Sequence, residues 1–278
     1  MKVFVTGAAG QLGSEFGAAL QGHDIVALTS GDLDITDAKA VADVVDAHRP
    51  EVVINAAAYT KVDAAETEID AAWAVNAGGP WHLARACART GAALLHVSTD
   101  YVFDGTLDRP YTEFDPTNPV SAYGRTKEAG ERLVRQTLDR HWIVRTAWVH
   151  GRHGGNFVKT MLRLGAERGA VSVVDDQRGS PTFADDLAAA IVQVIDEAPF
   201  GTYHRTNSGS CTWFQLAQRA YDLAGLQVDV TPITTAQFGA PAPRPANSVL
   251  ENRAAALLGL PALRPWEEGL ERLVPQLL

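Results

Sequence analysis

The sequence has only two cysteines, Cys87 and Cys211, among its 278 residues. Two thiols cannot build a disulfide framework or a cysteine-rich metal site. The chain also lacks an apolar run long enough to cross a bilayer as a helix. Because the first predicted strand begins at Lys2, we expect no signal peptide. The sequence therefore predicts a cytoplasmic protein that does not enter a membrane.

An excess of basic charge is also missing. The chain has 24 Lys and Arg against 33 Asp and Glu, a net charge of −9, which argues against nucleic acid as a partner. The eight histidines are scattered without metal-ligand spacing, so no metal site is predicted. The pair Asp185-Asp186 is more typical of a helix N-terminus than of a metal site. Hydrophobic residues make up 46% of the chain, which is ordinary for a globular protein with a buried core.

Short apolar segments alternate with amphipathic ones through the first half of the chain. The predicted strands are Val3–Val5, Ile25–Leu28 (which we expect to be buried), Val52–Ile54, Ala93–Val97 and Trp142–Val144. Helices are expected over Gln11–Leu20, Asp37–His48, a stretch that ends near Arg89 with Gly91 as its stop, and Ser121–Leu138. This alternation predicts an α/β fold with a doubly wound parallel sheet covered on both faces.

The alternation becomes less regular after Trp148. Strand-like segments occur at Val171–Val174 and Val228–Val230, and helix-like segments at Phe183–Glu197 and Trp213–Leu223. We expect a dinucleotide-binding type of domain over residues 1–147 plus about 176–207. A smaller C-terminal lobe would take about 148–175 and 208–278. Trp213 and Trp266 are interpreted as packing residues.

A glycine-spaced loop, Gly7-Ala-Ala-Gly10-Gln11-Leu12-Gly13, follows the first predicted strand and opens a helix. Glycine permits a positive φ and a close approach of the backbone to a phosphate, and a helix start offers free N–H groups. A tight strand-to-helix turn needs glycine in any case, so the pattern alone is weak evidence. Its place at the N-terminus favours a seat for a dinucleotide pyrophosphate.

The choice between NADH and NADPH depends on the residues after the second strand. An acidic side chain near this position would bind a ribose 2′-hydroxyl and repel a 2′-phosphate. Asp32 and Asp34 are both near it, although Asp34 could instead cap a helix. Thr29 and Ser30 would accept either cofactor, and no arginine stands there. We expect dual use with a lean to NADPH.

Small residues follow the third strand at Ala56, Ala57 and Ala58, where a flat cofactor could lie against the backbone. Close packing of a helix on the sheet explains them nearly as well. Asn76 could support a proton-relay water beside Lys127 or simply satisfy local backbone groups. The predicted cofactor contacts outside the glycine loop also include Asp34, Ile35 and Tyr59.

Tyr123 and Lys127 are four residues apart on a predicted helix and so project from one face. A free tyrosine has a pKa of about 10, and a nearby ammonium stabilises the phenolate and lowers it. Such a pair is common by chance and alone is weak evidence for a catalytic site. Thr99, at the end of the fourth predicted strand, strengthens the catalytic interpretation, because open α/β sheets bind ligands at the carboxyl ends of their strands. Thr99 and Tyr123 could hold a carbonyl oxygen while Tyr123 supplies a proton, with Lys127 also contacting the cofactor ribose.

Several longer stretches along nearly the whole chain form recognisable motifs. The most specific are Ser98-Thr-Asp-Tyr-Val-Phe-Asp-Gly105 and Asp176-Gln-Arg-Gly-Ser-Pro-Thr182. Others, in chain order, are Gly7–Gly13, Asp34–Asp37, Pro50–Glu66, Ile143–Gly151, Gly155–Val158 and Arg244–Ser248. Together and in this order they resemble the dTDP-4-dehydrorhamnose reductase family of the extended short-chain dehydrogenase/reductases. Ala147 and His150 depart from the serine and tyrosine that are frequent in the family.

The resemblance implies reduction of the C4 ketone of dTDP-4-dehydro-β-L-rhamnose by NADPH or NADH, the last step of dTDP-L-rhamnose synthesis. It makes Thr99, Tyr123 and Lys127 the catalytic set. The implied substrate-binding residues are Thr99, Asp100, Tyr101, Tyr123, Trp148, Asn156, Arg244 and Asn247. Arg244 and Asn247 would belong to a nucleotide-binding part of the C-terminal lobe, where arginine suits a diphosphate. Some members hold Mg²⁺ at a dimer contact, so Mg²⁺ stays possible and both a monomer and a homodimer stay open.

Two other functions remain as alternatives. A eukaryotic relative is a non-catalytic, NADP-binding regulatory subunit of a methionine adenosyltransferase, but the intact Thr99, Tyr123 and Lys127 argue against that role. Another nucleotide-sugar reductase, an epimerase or a dehydratase is the second alternative. A dehydratase would need an acidic pair after Thr99, whereas here only Asp100 follows.

Overall fold

The computed structural model describes residues 1–278, and a sheet of six parallel strands lies at its centre. The strands of this sheet are β1 (Lys2–Thr6), β2 (Asp24–Leu28), β3 (Val52–Asn55), β4 (Ala93–Thr99), β5 (His141–Thr146) and β10 (Gly201–His204). Their order is β10-β5-β4-β3-β1-β2, which confirms the predicted doubly wound α/β fold. All five strands predicted in the first half of the chain are present.

The helices cover both faces of the sheet and build the C-terminal lobe. They are α1 (Phe16–Ala19), α2 (Ala38–His48), α3 (Ile69–Trp73), α4 (Gly79–Thr90), α5 (Ala122–Thr137), α6 (Phe157–Arg168), α7 (Ala184–Glu197), α8 (Trp213–Ala224), α9 (Thr235–Phe238), α10 (Arg253–Leu257) and α11 (Trp266–Leu273). The short strands outside the main sheet are β6 (Val149–His150), β7 (Ala170–Val174), β8 (Arg178–Gly179), β9 (Thr182–Phe183), β11 (Cys211–Thr212) and β12 (Asp229–Ile233). None of the helices is both long and apolar enough to cross a membrane.

Alternating side chains of the strands form two cores. Val3 and Val5 of β1 pack with α1 and α7 on one face, whereas Phe4 packs with α2, α4 and α5 on the other. This alternation is what a strand buried between two helical layers requires. The cores fix the strands, and therefore fix where their carboxyl ends meet.

One local expectation was wrong. The second strand is an edge strand, so Asp24 and Ala27 are exposed and β2 is not buried. The segment Gln11–Leu20 is helical over residues 13–19, as a 3₁₀ turn at Gly13–Glu15 followed by the short α1 and not as one regular α-helix. Gly17 lies inside this segment, and glycine disfavours a helix interior.

The C-terminal lobe has its own core, in which α6, α8 and α11 pack around Phe183 and Trp266. Residues from the lobe also return to the main sheet, since Ala255 and Leu260 join its core. In the region predicted to rejoin the sheet, α7 covers one face and β10 pairs with β5. The lobe therefore closes over the carboxyl ends of the main strands.

Candidate active site

A cavity of about 770 Å³ lies where the carboxyl ends of the main strands face the C-terminal lobe. Ten of the predicted cofactor contacts line it, namely Gly7, Gly10, Gln11, Leu12, Asp34, Ile35, Ala56, Ala57, Ala58 and Tyr59. The predicted catalytic residues Thr99, Tyr123 and Lys127 line it as well, beside Asp100, Tyr101 and Trp148. Gly13 and Asn76, also predicted cofactor contacts, are buried and do not line the cavity. The position agrees with the ligand crevice of open α/β sheets.

Thr99 is the last residue of β4, and the chain turns sharply after it. Its hydroxyl donates to Asp100 Oδ1 at 3.0 Å and accepts the backbone N–H of Tyr101 at 3.2 Å, which starts a 3₁₀ turn. Tyr123 projects from the first turn of α5, whose N-cap is Ser121. The Tyr101 ring meets the Tyr123 ring edge to face at 5.5 Å between centroids. The turn and the helix start thus bring a hydroxyl and a phenol to one edge of the cavity.

Lys127 lies one helical turn after Tyr123 and is 2% exposed. Its Nζ donates to the carbonyl oxygen of Val97 at 2.7 Å and lies 3.5 Å from His96 Nε2. Burial lowers the pKa of Lys127 to about 8, although the nearby Glu131 carboxylate raises it. The amine of Lys127 is therefore held by hydrogen bonding to β4, although Lys127 lies only four residues after Tyr123 in the sequence.

The expected acidification of Tyr123 is not found in this structure. Burial raises its pKa to about 12, with a lowering contribution from the Thr99 hydroxyl and a raising one from Asp100. Lys127 Nζ is directed at Val97 and His96, so it does not offset the burial. Burial also raises the pKa of Asp100 to about 6. At neutral pH the site thus offers a protonated phenol as its proton donor.

The glycine loop is shaped by close backbone contacts. Gly7 has a φ of +71°, and a Cβ there would lie 2.6 Å from Ala57 N. A Cβ on Gly13 would overlap the carbonyl oxygen of Gly7. The backbone N–H groups of Gln11 and Leu12 donate to no group of the protein. Two unpaired backbone N–H groups beside a cavity can bind an anion such as a pyrophosphate.

The far end of the cavity is reached by Ser30 and Asp34, after the end of β2 at Leu28. Asp32 accepts both the backbone N–H and the hydroxyl of Thr29. Asp34 accepts from Thr36, and the cap of α2 is Asp37, so the helix-cap interpretation of Asp34 was wrong. Asp34 is left facing the cavity without a capping role.

Asn76 is fully buried, and its side-chain amide is engaged with the protein. It accepts from Tyr59 N at 2.9 Å and donates to Tyr59 O and to Thr126 Oγ1, both at 3.1 Å. These contacts agree with the structural interpretation of Asn76. They join the loop after β3 to α5 and so hold Tyr59 at the cavity wall.

A pair of tryptophans forms the wall on the side of the C-terminal lobe. Trp148 and Trp213 stack with 3.4 Å between ring centroids, and both line the cavity. Trp148 has a φ of +46°, which is unusual for a bulky residue. Its ring lies against Gly179, where any side chain would overlap it. Trp213 was therefore more than the packing residue that the sequence suggested, whereas Trp266 is buried in the lobe core.

Three predicted substrate-binding residues lie outside the cavity surface. Asn156 caps α6 through Lys159 N and donates to Gln11 Oε1 at 2.9 Å. Arg244 forms a bidentate pair with Asp63, at 2.9 and 2.8 Å. Asn247 donates to the carbonyl oxygens of residues 107 and 109. Their contact with a substrate stays a prediction.

Sequence reasoning missed two buried polar side chains that are connected to Lys127. The side chains of Asn55 and His96 are fully buried and link β3 and β4 to Lys127. The sequence analysis assigns no role to Asn55, and His96 is one of the eight histidines without metal-ligand spacing. The signal that could have found them is a polar residue inside an otherwise apolar strand.

Comparison with known proteins gives a consistent result. The sequence model of the family described as RmlD substrate binding domain matches residues 1–278. A dTDP-4-dehydrorhamnose reductase of Streptomyces griseus is 48% identical over 98% of this chain and 93% of that protein. The crystal structure of a dTDP-4-dehydrorhamnose reductase from Clostridium acetobutylicum has a TM-score of 0.97 at 45% identity, covering 100% of this chain and 99% of that one.

A second solved structure carries a cofactor. It is the dTDP-4-dehydrorhamnose reductase of Bacillus anthracis in complex with NADP, with a TM-score of 0.96, 44% identity and 99% coverage of both chains. The similarity to these proteins extends over the sheet, the catalytic edge and the C-terminal lobe alike. The chain therefore belongs to the RmlD substrate binding domain family, which confirms the resemblance seen in its sequence.

Proposed function

We propose that this protein is an NADPH-dependent oxidoreductase that reduces the C4 ketone of dTDP-4-dehydro-β-L-rhamnose to give dTDP-L-rhamnose. The observation that carries the proposal is the shared cavity of Thr99, Tyr123 and the glycine loop, in a chain with relatives of this activity over nearly its full length. Proton donor and dinucleotide seat must face one space for a carbonyl reduction.

The residues at the glycine loop fit a dinucleotide. The free N–H groups of Gln11 and Leu12 suit a pyrophosphate, and the methyl groups of Ala56–Ala58 leave a shallow wall for flat rings. NADPH is favoured by the NADP complex of the Bacillus anthracis protein. Ser30 at the far end suits either a 2′-hydroxyl or a 2′-phosphate, so NADH use at lower efficiency is part of the proposal.

The bound dihydronicotinamide would supply the hydride to sugar C4. Tyr123 donates its proton to the ketone oxygen as that oxygen gains charge. Without substrate the Thr99 hydroxyl donates to Asp100 Oδ1 and accepts from Tyr101 N. To orient the ketone oxygen, Thr99 would redirect its one proton from Asp100 to that oxygen. Lys127 Nζ is directed at Val97 and His96 while the phenol is protonated. Once Tyr123 has given up its proton, the ammonium form of Lys127, one helical turn away, would favour the phenolate. Holding the reacting groups together in one cavity provides much of the acceleration.

The substrate would occupy the side of the cavity that faces the C-terminal lobe. Trp148 provides an apolar wall for the deoxysugar, and Asp100 and Tyr101 provide polar contacts for its hydroxyl groups. Arg244 lies next to Tyr101, close enough to affect its pKa, and would reach a diphosphate if it left Asp63. Within this proposal, residues 1–147 with about 176–207 hold the cofactor, and about 148–175 with 208–278 hold the nucleotide-sugar.

The test is NADPH oxidation, followed by absorbance, with dTDP-4-keto-6-deoxyglucose and the 3,5-epimerase that converts it to the rhamnose isomer. Steady, epimerase-dependent consumption of NADPH and formation of dTDP-L-rhamnose is expected. Consumption without the epimerase would identify a different 4-keto sugar as the substrate. Turnover of nucleotide-sugar without net loss of NADPH would show an epimerase. Neither turnover nor product, with co-purification of a methionine adenosyltransferase, would show a regulatory subunit and refute the proposal.

A further inference from the structure

Four buried polar side chains form a continuous series of polar contacts that ends at the predicted catalytic residue Lys127. It runs from Thr6 at the end of β1 through Asn55 of β3 and His96 of β4 to Lys127 of α5. Each of these residues is at most 2% exposed. Buried polar atoms need partners, so the direction of each hydrogen bond in the series is constrained by its neighbours.

The amide of Asn55 has one possible orientation. Its Oδ1 receives the backbone N–H of Ala57 at 3.2 Å, and a backbone N–H can only donate. The Thr6 hydroxyl donates to the same oxygen at 2.7 Å. The NH₂ group must therefore be the atom that faces His96 Nδ1, at 3.1 Å.

This orientation decides the tautomer of His96. Because an amide NH₂ is only a donor, Nδ1 must accept, and the ring proton must be on Nε2. Burial holds the pKa of His96 well below its ordinary value, so the doubly protonated ring is disfavoured as well. The Nε2–H group faces Lys127 Nζ at 3.5 Å.

A donor that faces Lys127 affects the two forms of the lysine differently. A neutral amine has a lone pair that can accept from Nε2–H while one of its own N–H groups donates to Val97 O at 2.7 Å. An ammonium has no lone pair, so its N–H groups would oppose the ring N–H. The contact therefore stabilises the amine relative to the ammonium.

The other charged groups around this contact do not cancel the effect. Glu131 of α5 favours the ammonium, but Arg145 of β5 binds that carboxylate through two hydrogen bonds at 2.9 and 2.7 Å. Arg135 of α5 contacts the same carboxylate at 2.8 Å. On the cavity side, the phenol of Tyr123 and the carboxyl group of Asp100 line the same cavity as Lys127.

We propose that Asn55 and His96 are positioning residues that set the protonation of Lys127: Asn55 fixes the tautomer in which His96 donates Nε2–H to Nζ. The part of this inference that concerns turnover rests on the proposed function, in which the ammonium stabilises the Tyr123 phenolate. The tautomer itself does not depend on any activity. Asn55 and His96 thus keep both the amine and the ammonium form of Lys127 accessible, so that the side chain is not permanently charged.

The first experiment is nitrogen-15 NMR of the histidine rings, with His96 assigned from the signal lost in His96→Leu. The wild-type protein should show His96 as the Nε2–H tautomer, neutral across the stable pH range. In Asn55→Asp a carboxylate accepts where an amide donated, so His96 should change to the Nδ1–H tautomer. Thr6→Val should leave the tautomer unchanged, because Ala57 N still orients the Asn55 amide. An Nδ1–H or charged ring in the wild-type protein would overturn the proposal.

The second experiment is the pH profile of kcat/KM. In the wild-type enzyme, activity should fall above a pH of about 8, where Lys127 loses its proton. Asn55→Asp and His96→Leu should both move this fall to higher pH, by about one unit, because each removes the donor that opposes the ammonium. The negative charge that Asn55→Asp introduces cannot explain a shift that His96→Leu shares.

The outcomes separate the inference from the proposed function. A shift in Asn55→Asp alone would show a charge effect and overturn the inference, as would a changed tautomer with an unchanged profile. Absence of turnover in every protein, with the NMR result as expected, would refute the proposed reaction and keep the tautomer assignment. Thermal unfolding and NADPH affinity of each variant distinguish a shifted profile from a damaged fold.

Discussion

The two walls of the cavity are built in different ways. The catalytic wall consists of the end of β4 and the start of α5, and its three residues all reach the cavity. The wall of the C-terminal lobe is formed by Trp148 and Trp213. Elsewhere in the lobe, outside the cavity surface, Asn156 and Arg244 contact Gln11 and Asp63 of the N-terminal half. One wall is fixed by local structure, whereas the other depends on contacts between segments far apart in the chain. We therefore expect that removing contacts of the C-terminal lobe weakens substrate binding more than it displaces Thr99, Tyr123 and Lys127.

The largest expected effect is at the catalytic wall. Tyr123→Phe removes the proton donor and should lower kcat by about 10²–10⁴-fold, the usual contribution of a general acid. NADPH affinity should stay within a few-fold, because the ring is kept. Stopped-flow and fluorescence titration measure the two quantities. Tyr111→Phe is the matched control, since that phenol is bonded to Asp104 away from the cavity. Near-normal kcat in Tyr123→Phe would exclude the assigned role.

The glycine loop tests whether local backbone shape is as decisive as we infer. Gly7→Ala adds a methyl group at a positive φ and against Ala57 N, a strain of about 1–3 kcal/mol. NADPH should bind about tenfold or more weakly, and the melting temperature should fall. Gly17→Ala has no neighbour within 4 Å of the new methyl group and serves as the control. Equal behaviour of the two variants would contradict the geometry of the loop.

Substitution of Arg244 tests the proposed contact of the C-terminal lobe with the nucleotide-sugar. Arg244→Gln should raise KM for the nucleotide-sugar about tenfold and leave kcat nearly unchanged, since a charged hydrogen bond contributes about 1.5–3 kcal/mol. Arg253→Gln, which changes an exposed arginine paired with Glu251, is the control. Asp63→Asn should have a smaller effect than Arg244→Gln if the guanidinium also reaches the diphosphate. Equal effects would make Arg244 only a connection between the two parts of the chain.

The smallest effect concerns pH and the Asp100 carboxyl group. Burial raises its pKa to about 6, so the group is ionised above that pH and protonated below it. As pH falls through about 6, the group gains a proton and becomes a weaker acceptor for Thr99 and for the proposed sugar hydroxyl groups, so kcat/KM should decline. Asp100→Asn should be less active at neutral pH and lack this acidic decline. An unchanged acidic limb in Asp100→Asn would assign that limb to another group.

The same contrast explains what the sequence could predict. Five of the six strands of the main sheet, the glycine loop and the Tyr123–Lys127 pair follow from spacings of a few residues, and all of these were predicted. The pairing of Arg244 with Asp63 and the stacking of Trp148 on Trp213 depend on how distant segments pack, which no short pattern encodes. The raised pKa of Tyr123 was missed for a related reason. Spacing places Lys127 on the correct face but does not show that Val97 and His96 hold its amine.

Trp148 carries a further consequence. A left-handed backbone at so large a residue is disfavoured by about 1–3 kcal/mol. The stacked ring of Trp213, the absence of a side chain at Gly179 and a hydrogen bond from Thr182 N to the Trp148 carbonyl oxygen at 3.1 Å stabilise this conformation. Replacement of Trp148 by glycine would relax the chain and remove the aromatic surface together. If Trp148 contacts the deoxysugar as proposed, selection for thermal robustness alone would therefore weaken sugar binding, and a laboratory evolution experiment that screens only heat resistance should lose this indole first.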